Sequence, residues 1–229
     1  MGTPLDTREA QAEAVVERLA EEYPDATITL DFSDRVELLV AVMLSAQNTD
    51  VGVNAVTEEL FEKYRSPEDY AEADVDELDE DLGSINYHRN KAKWIKSAMT
   101  TIVEEHGGEV PDTMAELTDL KGVGRKTANV VLQEGHGLVE GIVVDTHARR
   151  LSRRLGITEE TDPEKIEADL VDVVPEEHWQ QYTHLLIAHG RAVCTARDPD
   201  CGECVVEGLC PSSKLDHEVD LYDGEPWDG

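Results

Sequence analysis

For most of this chain the hydrophobic positions recur every three or four residues, the spacing that lines one face of a helix. Residues 7–23 carry Val15, Val16 and Leu19 among acids and stop before Pro24, which predicts an amphipathic surface helix. Residues 36–46 (VELLVAVMLSA) are apolar on nearly every side, as a central buried helix would be. The amphipathic pattern returns over 51–64 and 91–106. Pro111 and the pair Asp112-Thr113 open a short helix that ends at the glycines of Leu120-Lys121-Gly122-Val123-Gly124, and another helix runs from Arg125 to near Gly135. Asp145 reads as an N-cap, with Ala148, Leu151 and Leu155 on one face and Gly156 as terminator. Helices over 163–174 and 179–191 complete the set, and Ile142-Val143-Val144 is too short to count as a strand. No internal repeat is evident, and the expected fold class is all-α.

A chain of 229 residues, 40% of them hydrophobic, has room for one large or two small domains with a real core. Charge changes the picture more: 51 acids face 20 bases, a formal net of −31. The acids are spread along the chain, unlike an acidic block that mimics nucleic acid, so the expectation is a heavily hydrated surface adapted to strong salt, a halophilic character. Only the stretch 216–229, with six acids and no base, reads as a fraying acidic tail. Between Asn86 and Arg154 the balance reverses to +2, leaving −33 elsewhere. The bases there fall in three groups: Arg89, Lys91, Lys93 and Lys96; Lys121, Arg125 and Lys126; Arg149, Arg150, Arg153 and Arg154. At molar salt the Debye length is only ~3 Å, so distant acids hardly repel a phosphate and a nucleic-acid partner stays open. No basic-then-apolar leader stands at Met1, and no apolar run nears the ~18 residues of a membrane span, so no membrane partner is expected.

All four cysteines, Cys194, Cys201, Cys204 and Cys210, lie within seventeen residues as C-x6-C-x2-C-x5-C. Clustered cysteines in a chain with no secretory leader point to metal before disulfides. Zinc sites usually show two short paired knuckles, and this run has one C-x2-C; uneven spacing suits an iron–sulfur cubane, whose ligands reach separate iron corners. Spacing alone leaves cluster, zinc and disulfide open, with the cluster favoured.

The glycines of Lys121-Gly122-Val123-Gly124 permit positive φ and close approach of a ligand to the backbone, and the helix behind them offers free N–H groups and a positive dipole end. This is the recipe of a helix–hairpin–helix that holds DNA phosphate through main-chain amides; an ordinary tight helix connection is the plain alternative. Asp145 follows nineteen residues after Lys126 at a helix start, where a cap is explanation enough. A lysine and an ionised carboxylate together can also do amine chemistry at a sugar: the amine attacks C1′, displaces the base and forms an imine that permits β-elimination of the 3′ phosphate. Lys126 must lose its proton for this, from a free-lysine pKa of ~10.4, and Arg125 with partial burial is expected to lower that value.

LKGVGRKTANVVL (120–132), VDTH (144–147), LLVAVMLSAQNTD (38–50) and HGRAVC (189–194) with the cysteine run together resemble bacterial and archaeal endonuclease III, a helix–hairpin–helix DNA glycosylase family with a Gly/Pro-rich loop and a downstream aspartate. The resemblance covers about residues 5 to 213; each motif is weak alone and the set is specific. It implies a bifunctional glycosylase and AP lyase acting as a monomer in the cytoplasm, at the nucleoid, on double-stranded DNA with an oxidised pyrimidine or abasic site. Matched position by position, Lys126 is the Schiff-base nucleophile, Asp145 the catalytic carboxylate, and Cys194, Cys201, Cys204 and Cys210 the ligands of a 4Fe–4S cluster. Gly122, Val123, Gly124 and Arg125 form the DNA-binding hairpin, Gln47 fills the hole left by the extruded base, and Tyr87 falls near the wedge position. Unaided by the resemblance, Gln47 reads as a polar helix-end residue; the flat ring of Tyr87 suits intercalation, with a core tyrosine as the alternative. The resemblance further implies two helical lobes with a DNA cleft between them: a six-helix barrel over 28–138 containing the hairpin (113–132), and a cluster domain made of 1–27 with 139–215.

Three segments depart from the family pattern. Lys121 stands where proline is common, and Asn86 where glycine is usual; asparagine tolerates positive φ, so that turn is expected to survive. In the Cys194–Cys201 loop, Asp198 and Asp200 replace bases and leave Arg197 as the only cation. Two rival readings remain: a monofunctional adenine or mismatch-thymine glycosylase, which typically lacks the lysine, and a non-catalytic iron–sulfur DNA-binding protein in which Asp145 is merely a cap.

Overall fold

The computed structural model describes residues 5–215, so the acidic tail expected at 216–229 lies outside the described residues. Most helices begin at a side-chain oxygen that accepts a hydrogen bond from the otherwise orphaned N–H groups of the first turn. Thr7 does this for α1 (Arg8–Glu22), Asp34 for α2 (Arg35–Ser45), Thr49 for α3 (Asp50–Lys63) and Ser66, in a reciprocal capping box with Asp69, for α4 (Pro67–Glu72). Asp74 caps α5 (Val75–Asp81) and Thr113 caps α7 (Met114–Asp119). Asp145 caps α9 (Thr146–Arg154) and Asp162 caps α10 (Pro163–Val173). Three begin otherwise: α6 (His88–His106) behind Tyr87, α8 (Arg125–Val130) behind Gly124, and α11 (Trp179–Ala192) behind a single 3-10 turn. There is no strand among the described residues, in keeping with the all-α expectation.

Two findings differ from the periodicity. Helices α4 and α5 went unanticipated because acids dominate both, and each buries few residues, Pro67 and Tyr70 in one and Leu78 in the other. The helix starting at Arg125 changes its winding: α8 gives way to a π-helical turn over Val131–His136, closed by Gly137 at φ 67°.

The chain folds as two compact units, one from Ile28 to Glu140 and the other from residues up to Thr27 together with those from Gly141 onward. In the first, α2 is the central rod, with Leu38 through Leu44 buried in unbroken succession, and α3, α6 and α8 pack around it. Ile95, Met99 and Ile102 give α6 its buried stripe, against which α4 and α5 lie. In the second, Val15, Val16 and Leu19 of α1 join Leu151, Leu155, Leu170, Leu185 and Leu186 in a separate core.

The hairpin between α7 and α8 is seated by two apolar anchors, Leu120 and Val123, both in the first core, and by Gly122 lying on Trp94 of α6. Gly122 adopts φ +86°, and a Cβ there would stand 2.7 Å from Trp94 Cβ. Gly124 has an ordinary extended backbone and open space where a Cβ would go. Gly122→Ala should therefore lower stability by about 1–3 kcal/mol through overpacking, while Gly124→Ala stays within ~0.5 kcal/mol. Urea midpoints of the two variants check this; equal midpoints would contradict the seating on Trp94.

Candidate nucleic-acid interface and metal centre

Because Leu120 and Val123 turn inward, the hairpin presents Lys121, Gly122, Gly124, Arg125 and Lys126 to solvent. The turn closes through Val123 N–H donating to Leu120 O at 3.1 Å, and Gly124 O accepts from Ala128 N–H at 2.9 Å as α8 begins. Gly124 has no side chain to cap that first turn, unlike Thr113 at the start of α7. Main-chain donors, a helix start and adjacent cations make this face suited to an anion. Lys126, second residue of α8, is exposed, which corrects the partial burial expected for it: in the free protein its amine stands in water.

Asp145 belongs to the second unit and Lys126 to the first. Its carboxylate is half-buried and caps α9, Oδ1 accepting from Ala148 N–H at 2.7 Å. Oδ2 makes no hydrogen bond within the protein among the described residues. Farther along the same helix, two arginines hold the chain that enters the cysteine run. Arg150 Nη2 donates to Cys194 O at 3.0 Å, and Arg154 donates to Thr195 O at 2.7 Å and Ala196 O at 2.8 Å.

Gln47 and Tyr87 are the two non-glycine residues with positive φ among the described residues, at 59° and 61°. Both are exposed, Tyr87 by 60%, which excludes the core-tyrosine reading. A left-handed backbone at a non-glycine residue costs on the order of 1–3 kcal/mol and is characteristic of functional positions. The strain expected at Asn86 falls one residue later, on Tyr87. Asn86 instead donates from Nδ2 to Gln47 O at 2.7 Å, so the loops carrying residues 47 and 87 touch.

All four cysteines are half-buried and free of disulfides, and they line one pocket together with Leu151, Leu155, Val193 and Val206. Among the described residues no three of His, Cys, Asp or Glu converge on a single ion position. Four sulfurs around a pocket suit the separate corners of an iron–sulfur cluster. Polar nitrogens face the sulfurs: Arg154 Nη1 donates to Cys194 Sγ at 3.2 Å, and His189 Nε2 lies 3.4 Å from Cys204 Sγ. Burial pulls His189 down to about 4, so its ring is neutral, and Tyr23 Oη at 3.1 Å from Nδ1 completes its bonding. Burial pushes the Cys204 thiol up to about 11 and that of Cys210 up to about 12, so metal must displace their protons on binding. Donor set, apolar wall and N–H groups all fit a thiolate-held cluster.

Sequence reasoning missed Lys91, His189 and Tyr23. Lys91 had a visible signal: it shares one helical stripe with Ile95 and Ile102, apolar company for a lysine. His189 sat inside a quoted motif without a partner, since Tyr23 lies 166 residues away.

Residues 40–176 match the family described as HhH-GPD superfamily base excision DNA repair protein, and residues 194–210 match the iron–sulfur binding domain of endonuclease III. Endonuclease III of Synechocystis is 48% identical over 210 residues, covering 92% of this chain and 96% of that protein. Two solved structures, a non-covalent endonuclease III–DNA complex and a trapped endonuclease III–DNA covalent intermediate, superpose with TM-scores of 0.86 at 42% identity, covering 91% of this chain and 97% of theirs. With its hairpin, capped aspartate and cysteine pocket in place, the chain belongs to the endonuclease III family within the HhH-GPD superfamily.

Proposed function

We propose that this chain is a bifunctional DNA glycosylase and AP lyase of base excision repair, with Lys126 as nucleophile and Asp145 as the supporting carboxylate. The observation that carries this reading is Lys126 itself, an exposed amine beside a hairpin suited to phosphate, in a chain 42% identical to a relative captured covalently on DNA. The neutral amine attacks C1′ of an extruded oxidised pyrimidine nucleoside, the N-glycosidic bond breaks, and the base departs with its electron pair and gains a proton. Ring opening gives an imine; loss of a C2′ proton then expels the 3′ phosphate and nicks the strand. Asp145 offers its unengaged oxygen to the positive charge that develops on the sugar. Gly122, Val123, Gly124 and Arg125 bind backbone phosphate without reading sequence. Gln47 fills the vacated stack and Tyr87 wedges it, together offsetting the few kcal/mol that extrusion costs.

Cys194, Cys201, Cys204 and Cys210 are the proposed ligands of a 4Fe–4S cluster. When bound, it supplies four iron–thiolate bonds that close the 194–210 segment into one rigid loop. The enzyme acts as a monomer at the nucleoid in a salt-rich cytoplasm. No helix among the described residues is long and apolar enough to cross a membrane.

Borohydride reduction with DNA carrying an oxidised pyrimidine or an abasic site should yield a covalent protein–DNA adduct, absent in Lys126→Gln. Undiminished trapping in that variant removes Lys126 from the chemistry. The purified protein should be brown, absorbing toward the blue end of the visible, and Cys204→Ser should bleach it; a colourless protein with stoichiometric zinc would reverse the cofactor assignment. With a net charge of −31, the urea midpoint should climb as KCl rises toward molar, since salt screens acid–acid repulsion. A midpoint indifferent to salt would dismiss the halophilic explanation.

A further inference from the structure

The two strained residues, Gln47 and Tyr87, are joined by a hydrogen-bonded lattice that the chemistry above does not use. Asn86 donates twice across the gap between loops, from its main-chain N to Asn48 Oδ1 at 2.9 Å and from Nδ2 to Gln47 O at 2.7 Å. Asn48 in turn donates from Nδ2 to Leu44 O at 2.8 Å and Ala46 O at 3.0 Å, the carbonyls at the end of α2. Lys91, one turn into α6 and only 2% exposed, sends Nζ to the same two oxygens, at 2.7 Å and 2.6 Å. No carboxylate pairs with it among the described residues; the negative end of α2 takes its charge. A buried ammonium held by helix carbonyls is costly unless its hydrogen bonds are made, which keeps the two segments locked together.

We propose that Lys91, Asn48 and Asn86 form a brace that presets Gln47 and Tyr87 as one rigid extrusion tool, with Asn86 as the cross-tie between its two tips. Preset tips enter the base stack without ordering loops first, so the brace lowers the cost of extrusion and leaves the lysine chemistry alone. Its meaning depends on the DNA-contacting roles proposed above for Gln47 and Tyr87. Asn86 is exposed and its side chain reaches the plug residue's own carbonyl, so it can be altered without opening the core.

The test is a double-mutant cycle on the cluster-loaded enzyme with Asn86→Ala, Gln47→Ala and the pair. Extrusion is read by stopped-flow fluorescence of 2-aminopurine placed beside an oxidised pyrimidine in a duplex. A control reads strand cleavage of a single-stranded abasic oligonucleotide, in which nothing is extruded from a stack. Asn86→Ala should slow duplex extrusion about two- to tenfold, the worth of one hydrogen bond. Single-strand cleavage should stay unchanged, and the double variant should lose less than the sum of the two single losses. Additive losses, an unaffected Asn86→Ala, or equal loss on both substrates would overturn the brace while leaving Gln47 its role. Full extrusion by Gln47→Ala would instead remove the plug assignment, and the brace with it.

Discussion

The structure depends most on what helix α9 does at its two ends. At its first residue boundary Asp145 accepts the Ala148 N–H, which fixes the carboxylate against the helix start. Farther along, Arg150 and Arg154 grip the carbonyls of Cys194, Thr195 and Ala196, and Arg154 also faces the Cys194 sulfur. A rigid helix thus ties the position of one carboxylate to the path of the segment that carries the cysteines. Closing that segment around metal steadies the arginines' acceptors, and through them the helix whose tip is Asp145. In this arrangement the path of the cysteine segment has a mechanical bearing on where the Asp145 carboxylate stands.

The first unit follows the same logic with different means. Its hairpin is kept in shape by a contact that tolerates no side chain, Gly122 on Trp94, while Gly124 beside it is bare toward solvent. One glycine is required for packing, and the other leaves open space beside its backbone. The left-handed residues tell a related story: the strain at Gln47 and Tyr87 persists because the surrounding bonds from Asn48, Asn86 and Lys91 over-determine it. Rigid scaffolding beneath exposed, polar or aromatic tips is what a protein needs to deform a stacked duplex without reading its sequence.

Local rules made much of this legible in advance. Apolar period announces α1, α2, α3 and α10, because each buries a full stripe. It fails for α4 and α5, which are one to two turns long and owe their existence to Ser66, Asp69 and Asp74 more than to apolar period. Among site residues, the hairpin and the cysteine run could be found because their members are neighbours in sequence. Lys126 was misjudged for burial, since exposure is decided by how the hairpin sits on α6 and not by its own residues. The Asn86–Gln47 and Tyr23–His189 contacts bridge 39 and 166 positions, beyond the reach of any periodicity.

Helix α1 belongs to a core whose other walls are α9, α10 and α11, and Gln11 donates to Leu155 O and Leu209 O, the latter 198 residues downstream. On the ribosome, Val15, Val16 and Leu19 therefore emerge long before anything exists to cover them. The intervening unit can collapse as soon as its own stretch has been translated, while α1 must wait until the residues through Leu209 exist to cover it.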